Sequence, residues 1–196
     1  MPDGGVRDRY VEELVERLIV NGLFHDVTRA RAFAEALVDS LIRRAEAHGA
    51  GLPKIDRVIK VLRCMLCGAQ NVKGCDYDII IAGAAREAVR ATKCYVVLMD
   101  YVIRKLFNIE PTDGLIELGK HYLNLIDMWL RGRGVDGGIE KYPAMSIVAA
   151  ATMALVDAKT GDPKRAIEVL GSDKYLKGIV TRLRLSELIE WLESRR

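Results

Sequence analysis

Aromatic residues are scarce in this sequence, 6% of 196 positions, and so are proline, with five, and histidine, with three. Sheets draw heavily on aromatic and β-branched side chains, so the first shortage puts an all-β fold far behind a helical one. Three scattered histidines and no recognisable catalytic motif leave no reaction to name, and the expectation is a binding protein without catalysis or cofactor. No stretch approaches the roughly 18 uncharged apolar residues of a membrane span, and the opening MPDGGVRDRY has no apolar core of a signal peptide. A cytoplasmic location without a membrane partner is therefore expected. Glutamine occurs once, at Gln70, and asparagine four times, the depletion of thermolabile amides typical of heat-adapted organisms. Nor does one sign of charge dominate: 30 basic and 27 acidic side chains give a net +3, and the excess is spread over both halves. Contact with nucleic acid must then come from local clustering of Lys and Arg rather than from the total.

What is present is a 50% hydrophobic, 29% charged chain, enough for one globular domain or two small ones. Its apolar period is close to 3.6 almost everywhere. Val11, Leu14, Val15, Leu18 and Ile19 form one face of a first helix ending near Asn21 and Gly22. Asp26 or Thr28 can cap a second, with Phe33, Leu37, Leu41 and Ala45 inward to about His48. Pro53 suits the start of a third, which Gly68 terminates. Asp78 to Leu106 fits two helices meeting near Arg86 to Thr92, or one bent helix. Thr112 and Asp113 open the next stripe, Leu115 to Trp129, followed by a glycine-containing loop from Arg131 to Lys141. Pro143 opens a helix over Ser146 to Ala158, in which Ala149, Ala150, Ala151 and Ala154 leave little bulk on any face. Such a helix is expected at the centre, where small side chains let neighbours approach. A short helix over Lys164 to Leu170 and one final amphipathic helix through Leu192 complete the all-α reading.

Cys64, Cys67, Cys75 and Cys94 include one CxxC, but Cys64 and Cys67 continue the apolar stripe of a helix. Zinc sites more often use two close pairs on turns, so buried thiols are the first expectation. A disulfide, which heat-adapted cytosols tolerate, and a metal site follow in that order. His25, His48 and His121 read as cap, loop or surface residues, and Glu12, Glu13 and Glu16 lack the Glu-x-x-His pairing of a di-iron bundle. The glycine-rich Gly132 to Gly138 does not follow a strand, as a nucleotide-binding loop would.

Pro53 and Pro143 each open a helix after a glycine-containing loop, and Asp78 and Asp162 each precede a short apolar helix. This spacing suggests a duplicated five-helix unit, residues 6–108 and 112–195; a single irregular helical bundle is the alternative. The stretch Tyr142-Pro143-Ala144-Met145-Ser146-Ile147-Val148-Ala149-Ala150-Ala151-Thr152-Met153-Ala154 resembles the central helix of the cyclin-like repeats in archaeal transcription factor B and its eukaryotic relatives. Asp162 to Gly171 resembles the short helix of that family's helix-turn-helix, and residues 78–106 give a fainter echo. The family's N-terminal zinc ribbon is missing from this chain, and the segment Gly171 to Gly178 is longer than the family's turn.

That resemblance implies a cyclin-like fold whose C-terminal helices contact double-stranded DNA, with the transcription machinery as a further partner. Residues 159–184 hold seven cations against Asp162, Glu168 and Asp173. The candidate nucleic-acid-binding residues are Lys164, Arg165, Lys174, Tyr175, Lys177, Arg182 and Arg184, because basic side chains flanking such a motif contact phosphates. A second basic stretch, Arg43, Arg44, Lys54, Arg57, Lys60 and Arg63, reads as solvated helix surface. The competing expectation is a helical scaffold that receives a protein partner in the groove between its units.

Overall fold

Side-chain caps open three of the helices. The computed structural model describes residues 4–67 and 78–195, and among these residues the chain is helix and connecting turn without a strand. Helix α1 (Gly4–Val20) is followed by α2 (Val27–Ala47), where the Asp26 carboxylate accepts from the Arg29 N–H at 3.0 Å; Asp26 rather than Thr28 is the cap. After Pro53 comes α3 (Ile55–Cys67); its expected terminator, Gly68, lies outside the described residues. Helix α4 (Ile79–Thr92) starts on the Asp78 carboxylate, which accepts from the Ile81 N–H at 3.1 Å, and leads to α5 (Tyr95–Leu106). The Thr112 hydroxyl caps α6 (Asp113–Gly132) by accepting from the Leu115 N–H at 3.2 Å. Each such cap satisfies an N–H that has no partner inside its helix. A 3₁₀ turn at Gly138–Lys141 precedes α7 (Pro143–Thr160), and α8 (Arg165–Ser172), α9 (Lys177–Arg182) and α10 (Leu185–Glu193) finish the chain.

The small-residue helix is the hub. Every residue of α7 from Ser146 to Val156 is buried, the all-round burial that marks a core helix rather than a surface one. It packs against α3, α4, α5, α6 and α8, so helices from both sides of residue 110 share one hydrophobic core. Close approach recurs between α5 and α6, where a Cβ on Gly119 would stand 2.5 Å from Met99 Sδ.

Helices α2 and α4 meet around one carboxylate. Gly83 lies against the Arg44 guanidinium, so closely that a Cβ there would come within 2.5 Å of Nη1. Arg44 and the Ser40 hydroxyl both donate to Glu87, and Arg43 adds a bond at 3.0 Å. Burial pushes the Glu87 carboxyl up, but the bonds from Ser40 and Arg44 outweigh it and hold the group below its usual range. At Asp78 burial likewise raises and the Ile81 N–H and Arg57 lower, with the lowering stronger. Both carboxylates therefore stabilise the fold fully above the unfolded-state values of roughly 3.9 to 4.3, and that contribution is lost as pH falls through their lower folded-state values. The urea midpoint should drop between about pH 5 and about pH 3, and the gap between wild type and Glu87→Gln should narrow over the same interval. A gap that stays constant would show that the Glu87 cluster has no part in the acid response.

The 78–106 run is two helices, one of the two expected arrangements, and other expectations are corrected. The 78–106 run breaks at Lys93, one residue beyond the expected window, with a left-handed φ of +53°. The Arg131 to Lys141 segment is a loop only in its middle, because α6 runs to Gly132 and the 3₁₀ turn occupies its end; the Asp127 carboxylate accepts from the Ile139 N–H at 2.9 Å across it. The single final helix is two, α9 and α10, parted at Arg184 with φ +52°. Among the cysteines, Cys64 is disulfide-bonded rather than a thiol. Cys67 and Cys94 are buried and free, and Cys75 lies outside the described residues. Burial pushes the Cys67 thiol up to about 12 and the Cys94 thiol up to about 11, so both stay protonated and unreactive at neutral pH.

Candidate nucleic-acid interface

The C-terminal helices are built on the end of α7. Gly161, at φ +69°, closes α7 through its N–H to the Asp157 carbonyl at 2.7 Å, a left-handed cap that favours glycine. The Asp162 carboxylate then accepts from the Lys164 N–H at 3.1 Å and turns the chain into α8. Between α8 and α9 the buried Asp173 organises the turn by accepting from the N–H groups of Tyr175 at 2.7 Å and Leu176 at 3.1 Å. Leu170, Leu176, Ile179 and Leu183 point into the core. By periodicity this leaves Lys174, Lys177, Gly178, Thr181 and Arg182 exposed to solvent.

This module is anchored to α6. The Trp129 indole Nε1 donates to the Leu183 carbonyl at 3.3 Å, and its ring meets Trp191 at a centroid distance of 5.8 Å. Arg133 lies 4.9 Å over Trp129 and pairs with Glu187 at 3.0 Å, while Arg195 covers Trp191 at 4.2 Å.

The seven candidate residues do not behave alike. Lys164 is bound by Glu193, whose hydrogen bond and charge raise its pKa. Arg184 sits in the left-handed break rather than on a helix face, with Glu187 at 3.9 Å. Arg165 is exposed in the first turn of α8. Tyr175 is 51% exposed, and Lys174 Nζ lies 5.5 Å from its ring centroid. Among the described residues no ion pair involves Arg165, Lys174, Lys177 or Arg182. Sequence spacing missed Gly178 and Thr181, the small residues separating the cations of α9; their i, i+3 offset on the outward face is the signal that points to them.

Most of the second basic stretch, all but the exposed Lys54, is engaged instead. Arg43 and Arg44 pair with Glu87, Arg57 pairs with Asp78 at 3.1 Å, and Lys60 and Arg63 are also engaged. The histidines lie apart: His25 Nε2 is 3.8 Å from Asp100, His48 follows the end of α2, and the exposed His121 sits edge-on to Tyr122. Among the described residues no three His, Cys, Asp or Glu side chains come together as a metal would require, and no helix is long and apolar enough to cross a membrane. Comparison with protein-family models, curated proteins and solved structures gives no match.

Proposed function

We propose that the protein is a non-catalytic binding protein that engages duplex DNA through the face of α8, the Asp173 turn and α9, as an adaptor for the transcription machinery. One observation carries the reading: Arg165, Lys174, Lys177 and Arg182 are exposed and stand outside the ion pairs of the described residues, whereas carboxylates occupy the neighbouring Lys164 and Arg184. Cations left unpaired at this corner can exchange water and counterions for phosphate oxygens, and releasing counterions is what drives such binding. Helix α9, six residues and about 9 Å long, reaches few base edges. Phosphate contacts therefore dominate, and sequence preference is slight.

The likeness to the cyclin-like repeats of transcription factor B supports the same reading. Five helices precede residue 110 and five follow it among the described residues, an order that accommodates tandem units at 6–108 and 112–195. The core shared across that boundary fits the single-bundle alternative.

A salt titration against a short duplex tests the proposal. Four phosphate contacts predict a slope of log affinity against log salt of roughly −3 to −4, and about a hundredfold loss between about 50 and 200 mM salt. Replacing Lys174, Lys177 and Arg182 together by alanine should flatten the slope to about −1, with an unchanged helical circular dichroism spectrum. No binding at low salt, or an unaltered slope in the triple variant, would overturn the DNA reading, and the first result favours the helical scaffold.

A further inference from the structure

A groove of about 710 Å³ lies between α1 and α2. Its floor is apolar: Val15, Ile19, Val20 and Val27. Val20 is 73% exposed and Val27 56%. Its rim is acidic, with Asp8, Glu12, Glu13 and Glu16 against Arg9 and Arg31. Arg31 is used by Glu12 and Arg7 pairs with Asp8 at 3.3 Å, while among the described residues no ion pair involves Glu13 or Glu16. The groove is thus an apolar strip, exposed at Val20 and Val27, beside Glu13 and Glu16, which stand outside the ion pairs of the described residues.

We propose that this groove receives an amphipathic helix of a partner protein, with an apolar stripe flanked by Lys and Arg. The charge pattern selects that occupant. Opposing two copies of the same groove would set carboxylates against carboxylates, which costs association, and an anionic membrane surface is repelled for the same reason. A basic amphipathic helix instead buries its apolar stripe on the valines and answers Glu13 and Glu16 at its edges. From Asp8 to Val20 the groove wall runs about 18 Å, the length of about three turns of partner helix. The inference is independent of the DNA reading, because α1 packs on α2 and α3 whereas the basic face belongs to α8, which packs on α7, and to α9, which packs on α8 and α10.

A fluorescein-labelled helical peptide of leucine and lysine, about 14 residues long, serves as the probe, with a scrambled peptide of equal composition as its control. Fluorescence anisotropy should show saturable binding of the amphipathic peptide and at least about tenfold weaker binding of the scrambled one. Val20→Asp with Val27→Asp, and separately Glu13→Lys with Glu16→Lys, should each weaken binding by about tenfold or more. All four positions are exposed, so circular dichroism should be unchanged. Amide-exchange protection by the peptide should fall within residues 8–31. The proposal is overturned by absent binding, by equal binding of the scrambled peptide, by protection elsewhere, or by concentration-dependent self-association that the valine variant abolishes, since the last would make a second copy the occupant. Duplex binding by the Val20→Asp, Val27→Asp variant should match wild type, which keeps a failure here separate from a failure of the DNA reading.

Discussion

Trp129→Ala should cost about 3–5 kcal/mol, the range for removing a large buried aromatic from a core. The indole is 8% exposed, so truncation leaves a cavity, and it also removes the packing partner of Trp191 and the donor to the Leu183 carbonyl. That carbonyl belongs to the residue just before the left-handed Arg184, at the joint where α9 ends and α10 begins. Losing the bond there should loosen both helices before the rest of the fold. Urea unfolding gives the total, and amide exchange in α9 and α10 locates it. Trp129→Phe separates the two contributions: it keeps most of the ring contact and drops the N–H, so about 1 kcal/mol is expected. A Trp129→Ala variant within about 1 kcal/mol of wild type would mean that the C-terminal helices do not depend on this anchor.

The second large effect comes from adding atoms rather than removing them. Ala150 is fully buried on α7, and three methylene-sized groups placed there have nowhere to go between the helices that surround it. Overpacking of a close-packed core typically costs about 1–3 kcal/mol and sometimes more, and Ala150→Leu should lie at or above the top of that range. Ala158→Leu makes the same chemical change on the same helix at an exposed position and should fall within about 0.5 kcal/mol of wild type. Thermal unfolding of the pair decides the matter: equal midpoints would remove α7 from the centre of the packing.

The centrality of α7 was legible because Ala149, Ala150, Ala151 and Ala154 leave no bulky side and Pro143 marks the start. The caps at Asp26, Asp78 and Thr112 were legible for a similar reason, since each places a short polar acceptor just ahead of an apolar period. The breaks at Lys93 and Arg184 were not. Glycine announces a left-handed turn, whereas Lys and Arg do so only when tertiary contacts impose it; Lys93 is held by Glu140, and the joint before Arg184 is fixed by Trp129. The basic cluster was visible as composition, but its division into occupied and open cations was not. Lys164 meets Glu193 only after α8, α9 and α10 have folded back, and no local spacing encodes that. The α1–α2 groove was hidden for the opposite reason: Val20 and Val27 end and begin helices whose periodicity reads as complete without them.

A rod shared by both sides of the chain also sets how the molecule comes apart. Helices α3, α4 and α5 cannot leave without baring the flank of α7 that they cover, and α6 cannot leave without baring the other. Either departure exposes one flank of the same buried helix, so partial opening gains chain entropy at one end while forfeiting burial that both ends share. The two ends consequently melt as a single cooperative unit rather than in succession, with only the six-residue α9 and its neighbours free to fray ahead of the transition.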